Sequence, residues 1–491
     1  MSVKRFLHAP PGERRGTPGS RPTLHPILWI LFALCGVDCT RPGVPENVLL
    51  ISIDSLRADH VGSYGSQNET TPTLDRLARE GVRFENAQSS TSWTLPAHVS
   101  LLTGQAQRHH QTVTSRDAIP SGEELLQEVF AQQGFETAGF YSGPYLHPVY
   151  GFGRGFQSYA SCQSAEPTAP EETDDGQRTR LAETARANEH AHEDRTNPLI
   201  ESAFASWVEH RQSRRFFAFV HMWDVHYDYI PPEPYASMFD PDYKGDLDGH
   251  DIAGDGFPVD APSRDVAHLR ALYDGEIRYT DATIEHLLAK LEGAGLLAST
   301  LVVVASDHGE EFLEHGGKLH GRTLYQEVIH IPLIFWARRG LPSGETVQSP
   351  VSLEDVAPTI LDLLALPPLK NADGTSLVPS IRSPGVARGP VFSEFYNPFA
   401  RTLKLVSIRQ ANSQLIFAPH ANTWELYDLA TDGGEQHPIP AIDPRLMAKL
   451  DEFATQGREL LAARAQLRKA NTIDALPPDV AERLKALGYI K

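Results

Sequence analysis

The chain has 491 residues, 44 basic and 63 acidic, giving a net charge of −19 with 41% hydrophobic content. An acidic balance with no Lys or Arg block after the first few dozen positions excludes a phosphate-gripping nucleic-acid surface and leaves a large folded enzyme or binding protein. Cys35, Cys39 and Cys162 are the three cysteines, so disulfides do not hold the fold together.

In chain order, Lys4, Arg5, Arg14, Arg15 and Arg21 precede an apolar run at residues 26–37, which is short for a membrane span and has the shape of a targeting segment. Residues 1–44 are therefore set outside the fold, and the expected location is the periplasm, cell envelope or exterior. Cys35 and Cys39 close the run and raise a lipoprotein anchor; the residues before each make a poor lipobox, and ordinary leader residues are the other reading. Residues 48–53 are continuously apolar, as in a buried parallel strand. Residues 73–80 carry Leu74, Leu77 and Ala78 at helical spacing with Gly81 as a stop, and residues 123–133 repeat the pattern with Leu125, Leu126, Val129, Phe130 and Gly134. Between them, Ser-Trp-Thr-Leu-Pro-Ala-His-Val-Ser-Leu-Leu-Thr-Gly places the hydroxyl of Thr94 two residues ahead of Pro96 at a helix start. Free N–H groups and the helix dipole there favour an anion. A capping threonine is the plain alternative.

Residues 161–197 are charged and polar with few apolar anchors, a solvated insertion or a lid. Apolar strands are predicted at 216–220, 301–305 and 332–336, with a helix at 281–292 and a Gly-, Asp- and Pro-rich excursion at 240–262. Strands alternating with helices indicate an α/β sandwich. From about residue 401 the pattern changes to strands at 403–408, 413–418 and 424–429, a helix at 446–464 and a closing helix at 476–489. The division is a catalytic domain at 46–395 and a smaller C-terminal part at 396–491.

The Thr94 segment resembles the sulfatase signature, which reads Cys or Ser, any residue, Pro, Ser or Ala, Arg, four residues, Thr-Gly. Pro96, Ala97, Thr103 and Gly104 match in register; Thr94 stands at the first position and His98 at the arginine. The resemblance covers most of residues 46–365. It implies the alkaline-phosphatase/sulfatase fold, a mixed sheet sandwiched by helices, and a small C-terminal α+β subdomain in which Leu426, Tyr427, Asp428 and Leu429 form a typical strand. Sulfatases oxidise the Cys or Ser to formylglycine. Threonine carries an extra Cβ methyl and cannot become that aldehyde. Superfamily members with an unmodified Thr here are phosphodiesterases, phosphomutases and phosphoethanolamine or glycerophosphate transferases, so the expected substrate shifts from sulfate towards phosphate esters.

Asp54 follows the first strand, and Asp307 and His308 follow the 301–305 strand, so both segments reach the crevice at the strands' carboxyl ends. The resemblance implies that Asp54, Asp307 and His308 bind one divalent metal that also touches Thr94. Ser55 replaces the second acid usual at calcium sulfatase sites, which leaves calcium, zinc and manganese all open. His226 matches a family histidine at the ester or leaving group, and an imidazole with a pKa of about 6.5 suits a general acid. A second metal site joining His226 to Asp224 or Asp228 has the wrong spacing. Lys318 or His320 would face the tetrahedral anion, His320 being the better match. His98 lacks the guanidinium fork and can only exchange a hydrogen bond with Thr94. His109, His110 and His315 read as surface or core-edge residues, and Arg57 as a structural ion pair.

The expected activity is hydrolysis or transfer of sulfate or phosphate esters through a covalent Thr94 ester, on a small-molecule or glycan or lipid substrate, with no nucleic acid and an N-terminal membrane tether left open. The alternative is a catalytically inactive sulfatase-like binding protein, supported by the changes at Thr94, His98 and Ser55.

Overall fold

The apolar run after Pro45 folds as strand β1 (Asn47–Ile53), buried along its whole length. In this computed structural model, residues 43–490 are described apart from 164–194, 214, 255, 400, 442, 464–470 and 488. The expected leader with Cys35 and Cys39, and most of the hydrophilic insertion, lie outside the described residues. With β1 run β2 (Val82–Phe84), β3 (Glu136–Tyr141), β4 (Ser158–Ser161), β5 (Phe216–Met222), β6 (Thr300–Ser306), β7 (Leu333–Trp336) and β8 (Glu345–Val347). They form one sheet in the order β8-β2-β7-β6-β1-β5-β3-β4. β1 lies parallel between β5 and β6, β3 extends the parallel part, and β7 runs antiparallel to β6 and β2.

Side chains alternate across this sheet as the pleat requires. Val48 and Leu50 enter one apolar cluster, and Leu49, Ile51 and Ile53 enter the other. The helices that cover it are α1 (Pro72–Glu80), α2 (Thr94–Thr103), α3 (Leu126–Gln132), α4 (Asn197–His210), α5 (Ser263–Gly293) and α6 (Val356–Leu363). Leu95, Leu101, Val129, Phe130 and Ile360 place α2, α3 and α6 on one face. Leu74, Leu77, Ile200, Phe204 and Leu287 place α1, α4 and α5 on the opposite face. The sandwich expected from the alternating pattern is thus present as a mixed sheet between two helical layers.

Helix α5 begins eighteen residues earlier than the pattern at 281–292 suggests, at Ser263. Its first half carries Leu269, Leu272, Tyr273 and Ile277 towards the core, but buried Asp274, Gly275 and Glu276 break the apolar rhythm. Gly275 is needed because a Cβ there would lie 2.7 Å from the Tyr235 carbonyl oxygen.

A second, antiparallel sheet comprises β9 (Val391–Tyr396), β10 (Leu403–Gln410), β11 (Ser413–Ala418) and β12 (Thr423–Asp428) in sequential order. Helix α7 (Pro444–Ala463) packs on it, with Leu446, Leu450 and Ala454 against Val406, Ile408 and Leu415. β9, missed in the sequence reading, pairs with β10 along its length, so this sheet starts at Val391. The chain then returns to the larger sheet: Ile473 N–H bonds the Arg116 carbonyl, and helix α8 (Pro478–Ala486) buries Val480 and Leu484 in the main core. Among the described residues no helix is long and apolar enough to cross a membrane.

Candidate active site

Register alone brings the two acidic segments together. Ile53 at the end of β1 pairs with Ser306 at the end of β6, so Asp54 and Asp307–His308 leave the sheet side by side. All three are fully buried, and their ligand atoms lie within 4.8 Å of one another. Ser55, held at a left-handed φ of 57°, donates its N–H to Asp307 Oδ1 at 3.1 Å and its hydroxyl to Asp54 Oδ1 at 3.0 Å. The position that lacks a second acid therefore orients both carboxylates.

Thr94 is the first residue of α2, and Trp93 is the cap residue. The Trp93 side chain makes no cap bond, and Thr94 Oγ1 lies 3.2 Å from His308 Nε2. Pro96 sits third in the helix, where its missing N–H costs nothing because the first four N–H groups have no intrahelical acceptor. Four residues later, His98 Nδ1 lies 2.9 Å from the Thr94 carbonyl oxygen, and Nε2 lies 2.9 Å from Ser52 Oγ. Both ring nitrogens are thereby engaged, and among the described residues the expected exchange with the Thr94 hydroxyl is absent: the ring secures the Thr94 main chain. Burial, aided by His221, lowers the His98 pKa to about 3, so it carries no charge in place of the family arginine.

His308 is the informative ring. Its Nδ1 lies 2.9 Å from the Gly309 carbonyl oxygen and so carries the hydrogen, leaving Nε2 with a lone pair. That lone pair points among acceptors, 3.3 Å from Asp307 Oδ2 and 3.7 Å from Asp54 Oδ1. Burial lowers the His308 pKa to about 3, so protonation does not relieve the crowding near neutrality. Burial and the charge of Asp54 push the Asp307 carboxyl well above its usual range. Asp307 Oδ2 is buried and takes no hydrogen bond from the described residues. Two carboxylates, an imidazole lone pair and a hydroxyl converging without a positive charge could together hold a cation. Every partner of Asp54, Thr94, Asp307 and His308 among the described residues is a hydroxyl, a main-chain group, an imidazole or a carboxylate.

His221 escaped the sequence reading. It is the one polar side chain in β5, fully buried, with Nε2 3.2 Å from Asp54 Oδ2. A histidine near the carboxyl end of an otherwise apolar central strand was the available signal.

His226 is stacked on Trp223 with ring centres 3.8 Å apart, and its Nδ1 lies 2.8 Å from the Tyr227 carbonyl oxygen. His320 lies with its ring centre 4.3 Å from that of His308 and 5.1 Å from that of His226, which continues the row of imidazoles away from the Asp54–Asp307–His308 cluster. Of Lys318 and His320, the histidine lies beside the Asp54–Asp307–His308 cluster. Lys318 belongs to a two-residue strand, and among the described residues its ammonium bonds the carbonyls of Gly254 and Phe257 at 2.6 and 2.8 Å. Those carbonyls belong to the 240–262 excursion, so the lysine tethers that loop. Asp224 accepts from the N–H groups of Thr196 and Asn197, and Asp228 from those of Asp251 and Ile252, which gives both carboxylates structural partners. Arg57 pairs with Asp59 and Glu314.

Another histidine cluster, Glu311, His315 and Glu327, is already satisfied. His315 Nδ1 reaches Glu327 Oε1 at 2.7 Å and Nε2 the Glu435 carbonyl oxygen at 3.0 Å, so both nitrogens donate and its pKa rises to about 9.

The sulfatase family model matches residues 46–366, and a model of the N-sulphoglucosamine sulphohydrolase C-terminal region matches 314–453. Arylsulfatase A of Bos taurus is 26% identical over 94% of this chain and 91% of its own length. N-acetylglucosamine-6-O-sulfatase of Bacteroides thetaiotaomicron is 22% identical over 84% and 86% respectively. Among solved structures, phosphonate monoester hydrolase of Agrobacterium radiobacter superposes with a TM-score of 0.65 at 24% identity, covering 86% of this chain and 96% of its own. The eight-stranded mixed sheet is therefore the alkaline-phosphatase fold. With a family model spanning the catalytic sheet from before β1 to beyond α6, this chain belongs to the sulfatase family.

Proposed function

We propose that this sulfatase-family hydrolase is metal-dependent and uses Thr94, unmodified, as its nucleophile, with phosphate or phosphonate esters favoured over sulfate esters. The observation that carries the reading is the Thr94 hydroxyl beside the His308 lone pair and the two buried carboxylates. Asp54, Asp307, His308 and the Thr94 oxygen would hold the ion. Four donors suit zinc or manganese; calcium would require additional oxygens. A divalent ion there would lower the pKa of the Thr94 hydroxyl and neutralise ester oxygens.

The protein's own part is positioning. Thr94 lies at the amino end of α2, whose free N–H groups favour an anion, and His98 fixes its main chain. In-line attack by Thr94 Oγ1 forms the covalent ester and breaks the bond to the leaving oxygen; the Thr94 hydroxyl proton passes to solvent, and the leaving oxygen, on the His226 side, takes up a proton from solvent. Water or an acceptor alcohol then releases the ester. His320 faces the remaining ester oxygens. Two carboxylates balance one divalent ion, and no guanidinium or ammonium contacts the cluster among the described residues. That balance supports an ester carrying a single negative charge, such as a phosphodiester, a phosphonate monoester or a sulfate monoester; the preference for phosphorus rests on Thr94, which cannot become formylglycine.

Aryl phosphodiester, phosphonate monoester, phosphomonoester and sulfate substrates, assayed with divalent ions, test the reading. Thr94→Ala should lower kcat/KM on the favoured substrate by at least about 10³-fold, as loss of a nucleophile does. Equal rates for variant and parent would remove Thr94 from the mechanism.

A further inference from the structure

The last residues of the chain enter the site just described. After α8, Leu487 is buried, and its carbonyl accepts from the Tyr227 hydroxyl at 3.0 Å. Tyr489 then turns its ring edge-on to Tyr145, with centres 4.9 Å apart, and Tyr145 in turn packs against Trp93, the residue before Thr94. The phenol oxygen lies 2.8 Å from His226 Nε2 and 2.9 Å from His320 Nε2. One hydroxyl thus joins the two imidazoles on the substrate side of the cluster.

We propose that Tyr489 is a positioning residue of the active site, supplied by the carboxy-terminal arm, which fixes His226 and His320 in complementary tautomers. The inference rests on the proposed ester chemistry for its catalytic consequence. Its basis is a count of hydrogens. His226 Nδ1 faces the Tyr227 carbonyl and must carry its hydrogen, so Nε2 of the neutral ring offers a lone pair to the Tyr489 hydroxyl. The phenol has a single hydrogen. The Tyr227 hydroxyl also neighbours this phenol and spends its own hydrogen on the Leu487 carbonyl; with the Tyr489 hydrogen on the His226 lone pair, the phenol oxygen can only accept, and His320 must present N–H at Nε2. The other nitrogen of His320 then has only a lone pair, so Glu310, 3.2 Å away and held well above the usual carboxyl range by burial, carries the proton and donates it to Nδ1.

Without the hydroxyl nothing holds His320 in the Nε2–H form, and the ring can instead turn its hydrogen towards Glu310. The burial of Val480, Leu484 and Leu487 anchors the arm, which suits a permanent part of the wall rather than a lid. Tyr489→Phe removes the oxygen and keeps the ring against Tyr145.

Two readouts on the full-length protein, supplied with its divalent ion, test the inference. Ring-15N spectra of histidine-labelled protein, assigned with His226→Gln and His320→Gln, should show His320 moving from the Nε2–H towards the Nδ1–H form in Tyr489→Phe. In the same variant kcat should fall about tenfold or more with KM changed less than about threefold, while Tm stays within about 2 °C of the parent. Unchanged His226 and His320 signals would overturn the inference whatever the rates; changed signals with kcat within about twofold of the parent would overturn its catalytic part. An active Thr94→Ala would instead sink the proposed ester chemistry, and the spectra would still decide the role of Tyr489.

Discussion

Thr94 and His308 divide a task that neither performs alone: one offers an oxygen, and the other turns a lone pair towards it at 3.2 Å. The acids beside them are shaped by neighbours that bear no charge. His221 donates towards Asp54 Oδ2 at 3.2 Å from the adjacent strand, the kind of contact that orients a metal-binding carboxylate. Replacing it with alanine should weaken divalent-metal affinity by about 10–100-fold, read by competition with a chelating dye, and leave the fold intact. Unchanged affinity would show that Asp54 needs no such partner. At this scale the sequence was informative where residues adjoin in the chain and silent where they meet only in space. Asp54, Thr94, Asp307 and His308 were legible because each stands at a strand end or helix start with a recognisable neighbour. His221 was hidden inside an apolar strand, and Tyr489 lies almost four hundred residues from Thr94 in sequence. The preference for His320 over Lys318 turned on which loop captured the ammonium, and no spacing rule carries that.

Among the elements, α5 shows how a close approach overrides a pattern. An alanine at Gly275 should add up to about 1 kcal/mol of helix propensity. Its Cβ, however, would lie 2.7 Å from the Tyr235 carbonyl oxygen and 2.9 Å from Pro231 Cγ, and neither backbone nor ring can yield cheaply. Gly275→Ala should therefore destabilise the protein by about 1–3 kcal/mol in denaturant unfolding, as overpacking does. A stabilised variant would mean that the 231–235 turn moves freely. The same close approach hid half of this helix from the sequence reading. The long, apolar strands β1, β5 and β6 were visible at once, whereas β2, β4 and β8 are three or four residues each and carry too few side chains for an alternating pattern. β3 contains Gly139, where a Cβ would press on the Tyr159 ring, and its pattern is weakened for that reason.

For the whole molecule, stability should be bounded on both sides of neutrality by histidines outside the site. Burial lowers His110 to about 3 and His330 to about 4, against an ordinary 6.5. At these two rings the unfolded chain binds more protons than the folded one below pH 6.5, so the stability they contribute falls as pH drops from there towards 4, and His110→Gln/His330→Gln should flatten the acid limb of a Tm–pH profile. His315 acts in the opposite sense. Its folded pKa of about 9 lies above 6.5, so its contribution is complete below pH 6.5 and is lost as pH rises through 9. His315→Gln should narrow the Tm difference between pH 6.5 and 9, and an unchanged difference would remove this ring from the alkaline limb. The large sheet and the family were legible from the order of the motifs. The return of the C-terminal arm to the catalytic face was not, since it depends on burying Val480, Leu484 and Leu487 against distant elements. The central claim, that Asp54, Asp307 and His308 with Thr94 form a cation site, is tested most directly by the metal content of the full-length protein after exposure to zinc, manganese and calcium. The account predicts about one tightly held divalent ion per chain, lost in Asp54→Asn/Asp307→Asn. A parent protein that retains no stoichiometric ion under any of these conditions would contradict it.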